Sequence, residues 1–340
     1  MTRVPSGQIL AIHPGALGDV VQAVPALRAL GALGALGALR APDGAVHVAF
    51  AGQPRLARLL AGTGVVVEAL EFDRLGLDAL FTAEPPPAAI RARLARFDRV
   101  VSWFGSRADP FPAQLRAVAR GVVLARPVPE AGGPPVWRHL LDTVAPDPSR
   151  SGTGTAAGGG GGEALVGSLH VPAAWGGEAL AALSWRRAVR GRPRLLVHPG
   201  AGAAWKRWPA ERFAEVVTRV RRDTGCDVLV HQGPADAAAV TALEQAVGAS
   251  LPRLVEPDLE VLAAGLAAAD AYLGSDSGVS HLAAGVGAPA LILFPPETRA
   301  TWAPWSPTAL ALAAHAETGQ VANLLVEMLT GRRIPSAELR

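Results

Sequence analysis

The stretch AYLGSDSGVSHLAAGVGAPALILFP, residues 271–295, decides the fold. Residues 271–276 and 289–295 are short, mostly apolar runs typical of buried strands, and residues 280–287 between them predict a short helix. Strand, helix and strand form one βαβ unit, whose two strands lie parallel with a right-handed connection. Polar residues gather where the first strand ends. Because ligands of open parallel sheets bind beyond the carboxyl ends of strands, a site is predicted at this edge.

The same alternation of strand and helix continues through the rest of the chain. Further strands are predicted over residues 8–13, 45–50, 65–70, 98–103, 122–127, 194–200, 227–233 and 252–257, with helical segments between them. One predicted helix runs from Asp19 to about Arg40 and contains a three-residue repeat, GALGALGALR, at 31–40. The repeat is too short for a solenoid unit and is given no functional role. The alternation predicts an α/β fold with parallel sheets covered on both faces.

Chain length and one glycine-rich segment predict the domain organisation. A chain of 340 residues exceeds what one hydrophobic core usually serves, so two domains are expected. Residues 150–163, RSGTGTAAGGGGGE, carry no apolar period and are typical of a linker or loop. We therefore predict an N-terminal domain over 1–149 and a C-terminal domain over 164–317.

Composition limits the classes of partner. The net charge is only +3 and no run of Lys or Arg stands out, which argues against nucleic acid as the main partner. The single cysteine, Cys226, cannot form an internal disulfide and fits a reducing compartment. The sequence shows no signal-peptide pattern and no window of about 18 apolar residues. We expect a cytoplasmic protein that makes at most peripheral contact with a membrane.

The chain contains one lysine, Lys206, among 32 basic residues, the rest being arginine. Lys206 stands in HPGAGAAWKRWPAERF, residues 198–213, directly after a predicted strand and shortly after Gly200 and Gly202. Backbone amides exposed by glycines, a compact cation and a following helix N-terminus suit a phosphate. A solvated basic loop is the alternative, and the isolated lysine favours the phosphate site.

The polar residues of the opening stretch are Asp276, Ser277, Gly278 and His281. Ser277 and His281 are four residues apart, so they share one face of the first helical turn. Helix-start amides attract phosphate, and Gly278 leaves room for a ligand. Together these residues predict a binding site for an anionic, hydroxyl-bearing ligand. The alternative is an ordinary capped turn with a structural histidine.

Two further aspartates follow predicted strands. In HPGALGDVVQAVPAL, residues 13–27, Gly15 and Gly18 allow a tight turn, and Asp19 either caps the next helix or presents its carboxylate to a ligand. Asp236 either caps a helix, which we favour slightly, or reaches a ribose hydroxyl.

Neither a Walker loop nor a complete G-x-G-x-x-G fingerprint is present. No Cys/His ligand spacing and no D-x-D pair occur, so no metal site is predicted.

Three motifs together resemble glycosyltransferase family 9, the bacterial ADP-heptose:lipopolysaccharide heptosyltransferases and their relatives. They are PGALGDVVQAVPALRAL, HPGAGAAWKRWPAERF and SDSGVSHLAAGVGAPALILFPP, and the resemblance runs from about residue 8 to 330. It implies a GT-B fold with two Rossmann-like parallel-sheet domains facing an interdomain cleft. It also implies that the C-terminal segment 318–340, with a helix near 318–331, packs back on the first domain.

The reaction implied by the resemblance is inverting, metal-independent transfer of a sugar, heptose first of all, from an ADP-sugar to a hydroxyl. The acceptor would be lipopolysaccharide core, another glycan or glycolipid, or a small molecule. The protein would work as a monomer and need no cofactor, with the ADP-sugar as co-substrate.

The resemblance also assigns roles to individual residues on each side of the reaction. Asp19 matches the catalytic aspartate, the general base for the acceptor hydroxyl, with Gly15 and Gly18 in the turn before it. Lys206 matches the lysine that stabilises the leaving ADP. Ala201 and Gly202 fall where phosphates are contacted, and here only their backbone amides are available.

The remaining donor residues carry over from the opening stretch and from the strand before Asp236. Asp276 matches the acidic residue that holds sugar hydroxyls. Ser277, Gly278 and His281 match the turn around the diphosphate and sugar. Asp236 falls where many members place a glutamate toward the ribose.

One motif departs from the family, and two other functions stay open. FPPETRATWAPW, residues 294–305, replaces the usual Phe/Tyr-Gly-Pro-Thr turn, with Pro295 where glycine is expected. A non-catalytic sugar-nucleotide binder is one alternative. A dinucleotide-dependent oxidoreductase is another, disfavoured because neither half has the full glycine fingerprint and its acidic partner.

Overall fold

The computed structural model describes residues 7–33, 46–145, 169–177, 180 and 192–331. The chain divides into two compact units, Met1–Leu169 and His170–Arg340. The glycine-rich segment 150–163 and most of the repeat at 31–40 lie outside the described residues, so the predictions made for them stay predictions. The same holds for the domain boundaries drawn from that segment and for the cleft between the domains.

The first unit is built on a five-stranded parallel sheet in the order β3-β2-β1-β4-β5. Its strands are β1 (Gln8–Ile12), β2 (His47–Gly52), β3 (Glu68–Glu71), β4 (Arg99–Ser102) and β5 (Val123–Leu124). Its helices are α1 (Leu17–Gln22), α2 (Val24–Ala32), α3 (Pro54–Gly62), α4 (Ala88–Leu94), α5 (Phe111–Val118) and α6 (Val136–Val144). Ile9 to Ile12 of β1 are fully buried, as a central parallel strand requires.

The second unit has a six-stranded parallel sheet in the order β11-β10-β9-β6-β7-β8. Its strands are β6 (Arg194–His198), β7 (Asp227–Gln232), β8 (Arg253–Val255), β9 (Ala271–Ser275), β10 (Ala290–Phe294) and β11 (Ala309–Ala313). The described helices are α7 (Ala210–Thr224), α8 (Ala237–Val247), α9 (Leu259–Ala268), α10 (Gly278–Gly285), α11 (Pro296–Trp302) and α12 (Thr318–Thr330). The central strand β6 pairs with both β7 and β9, which brings the ends of these three strands together.

The predicted class, two parallel α/β domains, is confirmed. The prediction of one continuous helix from Asp19 to about Arg40 is wrong in its first part. The chain forms two helices there, α1 and α2, with Ala23 between them. Pro25 has no N–H to donate to the preceding turn, and it lies in the first turn of α2, where that donor is not needed.

The C-terminal helix α12 packs against α7 within the second unit. Val321, Leu324 and Leu325 are fully buried in that unit's core, which explains why the helix is apolar on one side. Packing of the C-terminal segment on the first domain stays a prediction. In the part of the chain that the structure describes, no helix has the length and apolar character to cross a membrane.

Candidate active site

The loop after β6 carries the lysine to the edge of the second sheet. It runs from Pro199 through a 3₁₀ turn, Ala204–Lys206, to the start of α7. The backbone N–H of Trp208 donates to the hydroxyl of Ser275 at the end of β9, at 2.9 Å. The indole N–H of Trp208 donates to the carbonyl of Ala314, at 2.8 Å. These bonds tie the loop to the neighbouring part of the sheet.

Lys206 forms an ion pair with Asp276. The Lys206 Nζ lies 2.9 Å from Asp276 Oδ2, and the side chains are 23% and 3% exposed. The same ammonium lies 5.5 Å from the ring centroid of Trp205 and 5.9 Å from that of Trp302, within the range of cation–π attraction. The carboxylate and the two rings therefore surround the ammonium of the only lysine of the chain.

A histidine flanks the same carboxylate on its other oxygen. His281 Nε2 lies 3.9 Å from Asp276 Oδ1, and His281 is as buried as its partner. The ring of His281 also lies 6.2 Å from that of Trp302. The structure thus brings Lys206 to Asp276 and His281, which the sequence predicted as part of a separate stretch of the donor site. Their roles in binding stay predictions.

The start of α10 is held by a network of hydroxyl groups. Ser277 is the N-cap residue, and its Oγ accepts the backbone N–H of Ser280 at 3.2 Å. The Ser280 hydroxyl donates to the carbonyl of Ser275 and lies 2.8 Å from the hydroxyl of Tyr272. Burial raises the pKa of Tyr272, so this phenol stays protonated. Because the side chain of Ser277 caps the helix, its Oγ already has partners within the protein. Gly278 is the first residue of α10.

The two other predicted donor positions on the β6 loop differ in exposure. Ala201 is buried, whereas Gly202 is exposed and has open space around it. Neither side chain can donate a hydrogen bond, so contact with a phosphate would depend on backbone amides, as expected from the sequence.

Asp236 turns inward between two loops. Its Oδ2 accepts the backbone N–H of Gly233 at 3.0 Å, and the residue is 8% exposed. Asp236 is the N-cap residue of α8, as favoured, but its side chain makes no hydrogen bond to the first turn, so the carboxylate itself does not cap the helix. The carboxylate accepts from the Gly233 N–H rather than from the N–H groups of the first turn of α8, because the turn before α8 brings Gly233 next to it. A contact with ribose stays a prediction.

Replacement of Gly200 by alanine is expected to destabilise the second unit. A Cβ at Gly200 would lie 2.0 Å from Asp236 Oδ1, so the buried carboxylate would have to move. We expect the free energy of unfolding to fall by about 1–3 kcal/mol, the usual cost of overpacking. Gly202→Ala in the same loop is the matched control, since nothing lies within 4 Å of its Cβ. Equal denaturant midpoints for the two variants would contradict the prediction.

Sequence reasoning missed a pair of buried histidines beside Asp236. His198 ends β6 and His231 lies near the end of β7, with their Nδ1 atoms 3.0 Å apart. Burial lowers the pKa of His198 to about 4 and that of His231 to about 3. The available signal was that each histidine stands at the carboxyl end of a predicted strand. Spacing along the chain does not show that these two strands are neighbours.

In the first unit, Asp19 occupies the third position of α1. Its Oδ2 accepts the backbone N–H of Ala16, the N-cap residue, at 2.8 Å. Asp19 is half-buried, and this is the only hydrogen bond of its side chain with the described residues. The helix-capping alternative is therefore seen in a modified form, with Asp19 inside the helix rather than at its N-cap. No hydrogen bond from the described residues reaches its other carboxylate oxygen, and contact of that oxygen with a ligand stays a prediction.

The glycines before Asp19 have different roles. A Cβ at Gly15 would lie 2.6 Å from His13 Cε1 and 2.8 Å from Asp19 Cβ, so the turn has no room for a side chain. Gly18 lies inside the first turn of α1, not in the preceding turn as predicted, because the helix begins at Leu17.

Sequence reasoning also missed the buried His13, whose Nδ1 accepts the N–H of Gly15 at 3.2 Å. Burial lowers the pKa of His13 to about 4, against the attraction of Asp19.

Comparisons with known proteins agree with this description. Residues 79–323 match the model of glycosyltransferase family 9 (heptosyltransferase). Lipopolysaccharide heptosyltransferase 3 of Escherichia coli is 28% identical over 137 residues. That match covers 36% of this chain and only 39% of the relative.

Solved structures with 17–18% identity show the same fold. A family 9 glycosyl transferase from Veillonella parvula has a TM-score of 0.72, with 97% of this chain and 99% of that chain covered. The ADP-heptose lipopolysaccharide heptosyltransferase II of E. coli has a TM-score of 0.68, with 95% and 99% covered. An E. coli heptosyltransferase solved with ADP has a TM-score of 0.63, with 94% and 99% covered.

The two parallel α/β units give the fold, and the match of residues 79–323 to the family model gives the class, a glycosyltransferase. The match to the family model extends over most of the chain. The chain belongs to glycosyltransferase family 9, as the three sequence motifs predicted.

Proposed function

We propose that this protein transfers a sugar, heptose first of all, from an ADP-linked donor to a hydroxyl group. The observation that carries the proposal is the ion pair of Lys206 with Asp276 at the edge of the second sheet, next to the start of α10. A cation at this edge suits the diphosphate of a nucleotide sugar, and a carboxylate beside it suits sugar hydroxyls. Among the structures of similar fold, one E. coli heptosyltransferase was solved both with ADP and with ADP-2-deoxy-2-fluoro heptose.

In the proposed reaction, an acceptor hydroxyl oxygen attacks the anomeric carbon of the donor sugar. Asp19 takes the hydroxyl proton while the new carbon–oxygen bond forms. The bond from the anomeric carbon to the diphosphate breaks, and its electron pair leaves with ADP. Attack opposite the leaving group inverts the configuration of the anomeric carbon.

Lys206 would compensate the negative charge that develops on the leaving ADP. Asp276 and the two tryptophan rings hold this ammonium in place before substrate binds, so little reorganisation is needed in the transition state. A lysine in this position serves the purpose that a divalent cation serves in other transferases. We therefore propose that transfer itself requires no metal ion and no cofactor besides the co-substrate.

The acceptor would be lipopolysaccharide core, another glycan or glycolipid, or a small molecule. We propose a cytoplasmic monomer, with peripheral membrane contact where the acceptor is a glycolipid. The family match and the similarity to a lipopolysaccharide heptosyltransferase support this choice of acceptors.

A thermal-shift panel with ADP, UDP, GDP and NAD at matched concentrations tests the donor. A ligand at 100 times its dissociation constant adds about 2.7 kcal/mol of stability, which corresponds to a rise in Tm of about 4 °C when all 340 residues unfold together and about 8 °C when the second unit unfolds by itself. We expect ADP to give the largest rise in Tm. In a separate activity assay, we expect the protein to release ADP from ADP-heptose when acceptor is added. A preference for UDP or GDP would overturn the proposed donor, and a response to NAD alone would favour the oxidoreductase.

A further inference from the structure

A buried cluster of two histidines and one carboxylate lies at the base of the loop that carries Lys206. In the register of β6 with β7, Val197 is opposite Val230, so the next residues, His198 and His231, are cross-strand neighbours. Neighbours in register point to the same face of a sheet. Asp236 precedes α8 and completes the cluster, which we call the His-His-Asp cluster.

The distances within the His-His-Asp cluster suit a shared metal ion. One ligand atom from each residue lies within 4.8 Å of the other two. The two Nδ1 atoms are 3.0 Å apart, and two nitrogen ligands on a tetrahedral zinc ion are about 3.3 Å apart.

The chemistry of the three ligands indicates which ions fit. A neutral imidazole offers a lone pair on the ring nitrogen that carries no proton, and the carboxylate supplies negative charge. Two imidazoles and a carboxylate suit zinc and similar transition metals, whereas magnesium and calcium prefer oxygen ligands throughout. The bond from the Gly233 N–H to Asp236 orients the carboxylate, as outer-shell donors do at metal sites.

We propose that His198, His231 and Asp236 bind one divalent transition-metal ion, with zinc as the first candidate. The ion would join the ends of β6 and β7 at the point where the Lys206 loop begins. Gly200, two residues after His198, already packs against the Asp236 carboxylate, so the position of the loop depends on this cluster. The ion has a positioning role outside the transfer chemistry, and the inference therefore does not depend on the proposed function.

Metal analysis of the full-length protein, prepared without a polyhistidine tag and grown with added zinc, tests the proposal. We expect about one zinc ion per chain in the wild type and near none in His198→Gln or His231→Gln. His315→Gln is the matched control, because His315 is exposed and lies outside the cluster. A wild type without bound metal would overturn the proposal, as would cluster variants that keep the wild-type content.

A zinc titration of chelator-treated wild type keeps the proposal testable if the variants fail to fold. Zinc well above its dissociation constant should raise the Tm by about 5 °C or more. No response to zinc would contradict the site. The same metal-free protein is then titrated with ADP. The zinc titration tests the metal site and the ADP titration tests the nucleotide site, so a negative result in one does not affect the other.

Discussion

Replacement of Asp19 by asparagine is expected to reduce sugar transfer by roughly 10²–10⁴-fold, the usual contribution of a general base. The affinity for ADP should stay nearly unchanged, since Asp19 belongs to the acceptor side of the proposed reaction. Asparagine keeps an oxygen that can accept the Ala16 N–H, so the start of α1 should stay intact. The variant therefore removes the base without removing the hydrogen bond that holds the helix.

Initial rates of ADP release, together with calorimetric ADP binding, measure this effect. Asp73→Asn is the matched control, because Asp73 is exposed in a 3₁₀ turn of the same unit and should leave the rate unchanged. Full activity in Asp19→Asn would contradict the assignment of the base. A fall in rate no larger than the fall in the fraction of folded protein would instead indicate that the carboxylate serves the helix alone.

Lys206→Met is expected to weaken ADP binding by roughly 10–100-fold. Hydrogen bonds to charged groups contribute about 1.5–3 kcal/mol, and the variant keeps the aliphatic volume while it removes the cation. It should also lower the free energy of unfolding by about 3 kcal/mol, because Asp276 is left buried without its ion-pair partner.

The double variant Lys206→Met/Asp276→Asn separates these two effects. Replacing the unpaired Asp276 carboxylate by a neutral amide should restore most of the lost stability but not the affinity for ADP. Denaturant midpoints and ADP calorimetry on the two variants measure this difference. An unchanged ADP affinity in the single variant would count against phosphate binding by Lys206. Equal midpoints in the wild type and Lys206→Met would show that the ion pair does not stabilise the fold.

The fold class could be predicted because each buried strand is a compact apolar run. All five residues of β10 are buried, and its ALILF sequence is typical of a covered parallel strand. The ALALA strand β11 was missed because alanine-rich segments do not favour strands, and every residue is only half-buried. Its conformation depends on pairing with β10, which local sequence does not encode.

The candidate site was predictable residue by residue but not as an arrangement. Lys206, Asp276 and His281 follow strand ends and were found for that reason. The inward turn of Asp236 was not predictable, because its partner is a backbone amide whose position depends on the turn before α8.

The sequence by itself determined the parallel α/β class, the family and the strand ends that carry polar groups. These properties follow from short-range patterns of burial, glycine and charge. Only the tertiary structure decided that β6 lies between β7 and β9. This order pairs Lys206 with Asp276 on one side and brings His198 to His231 on the other. Strand order depends on packing between segments far apart in the chain, so no local pattern of residues specifies it.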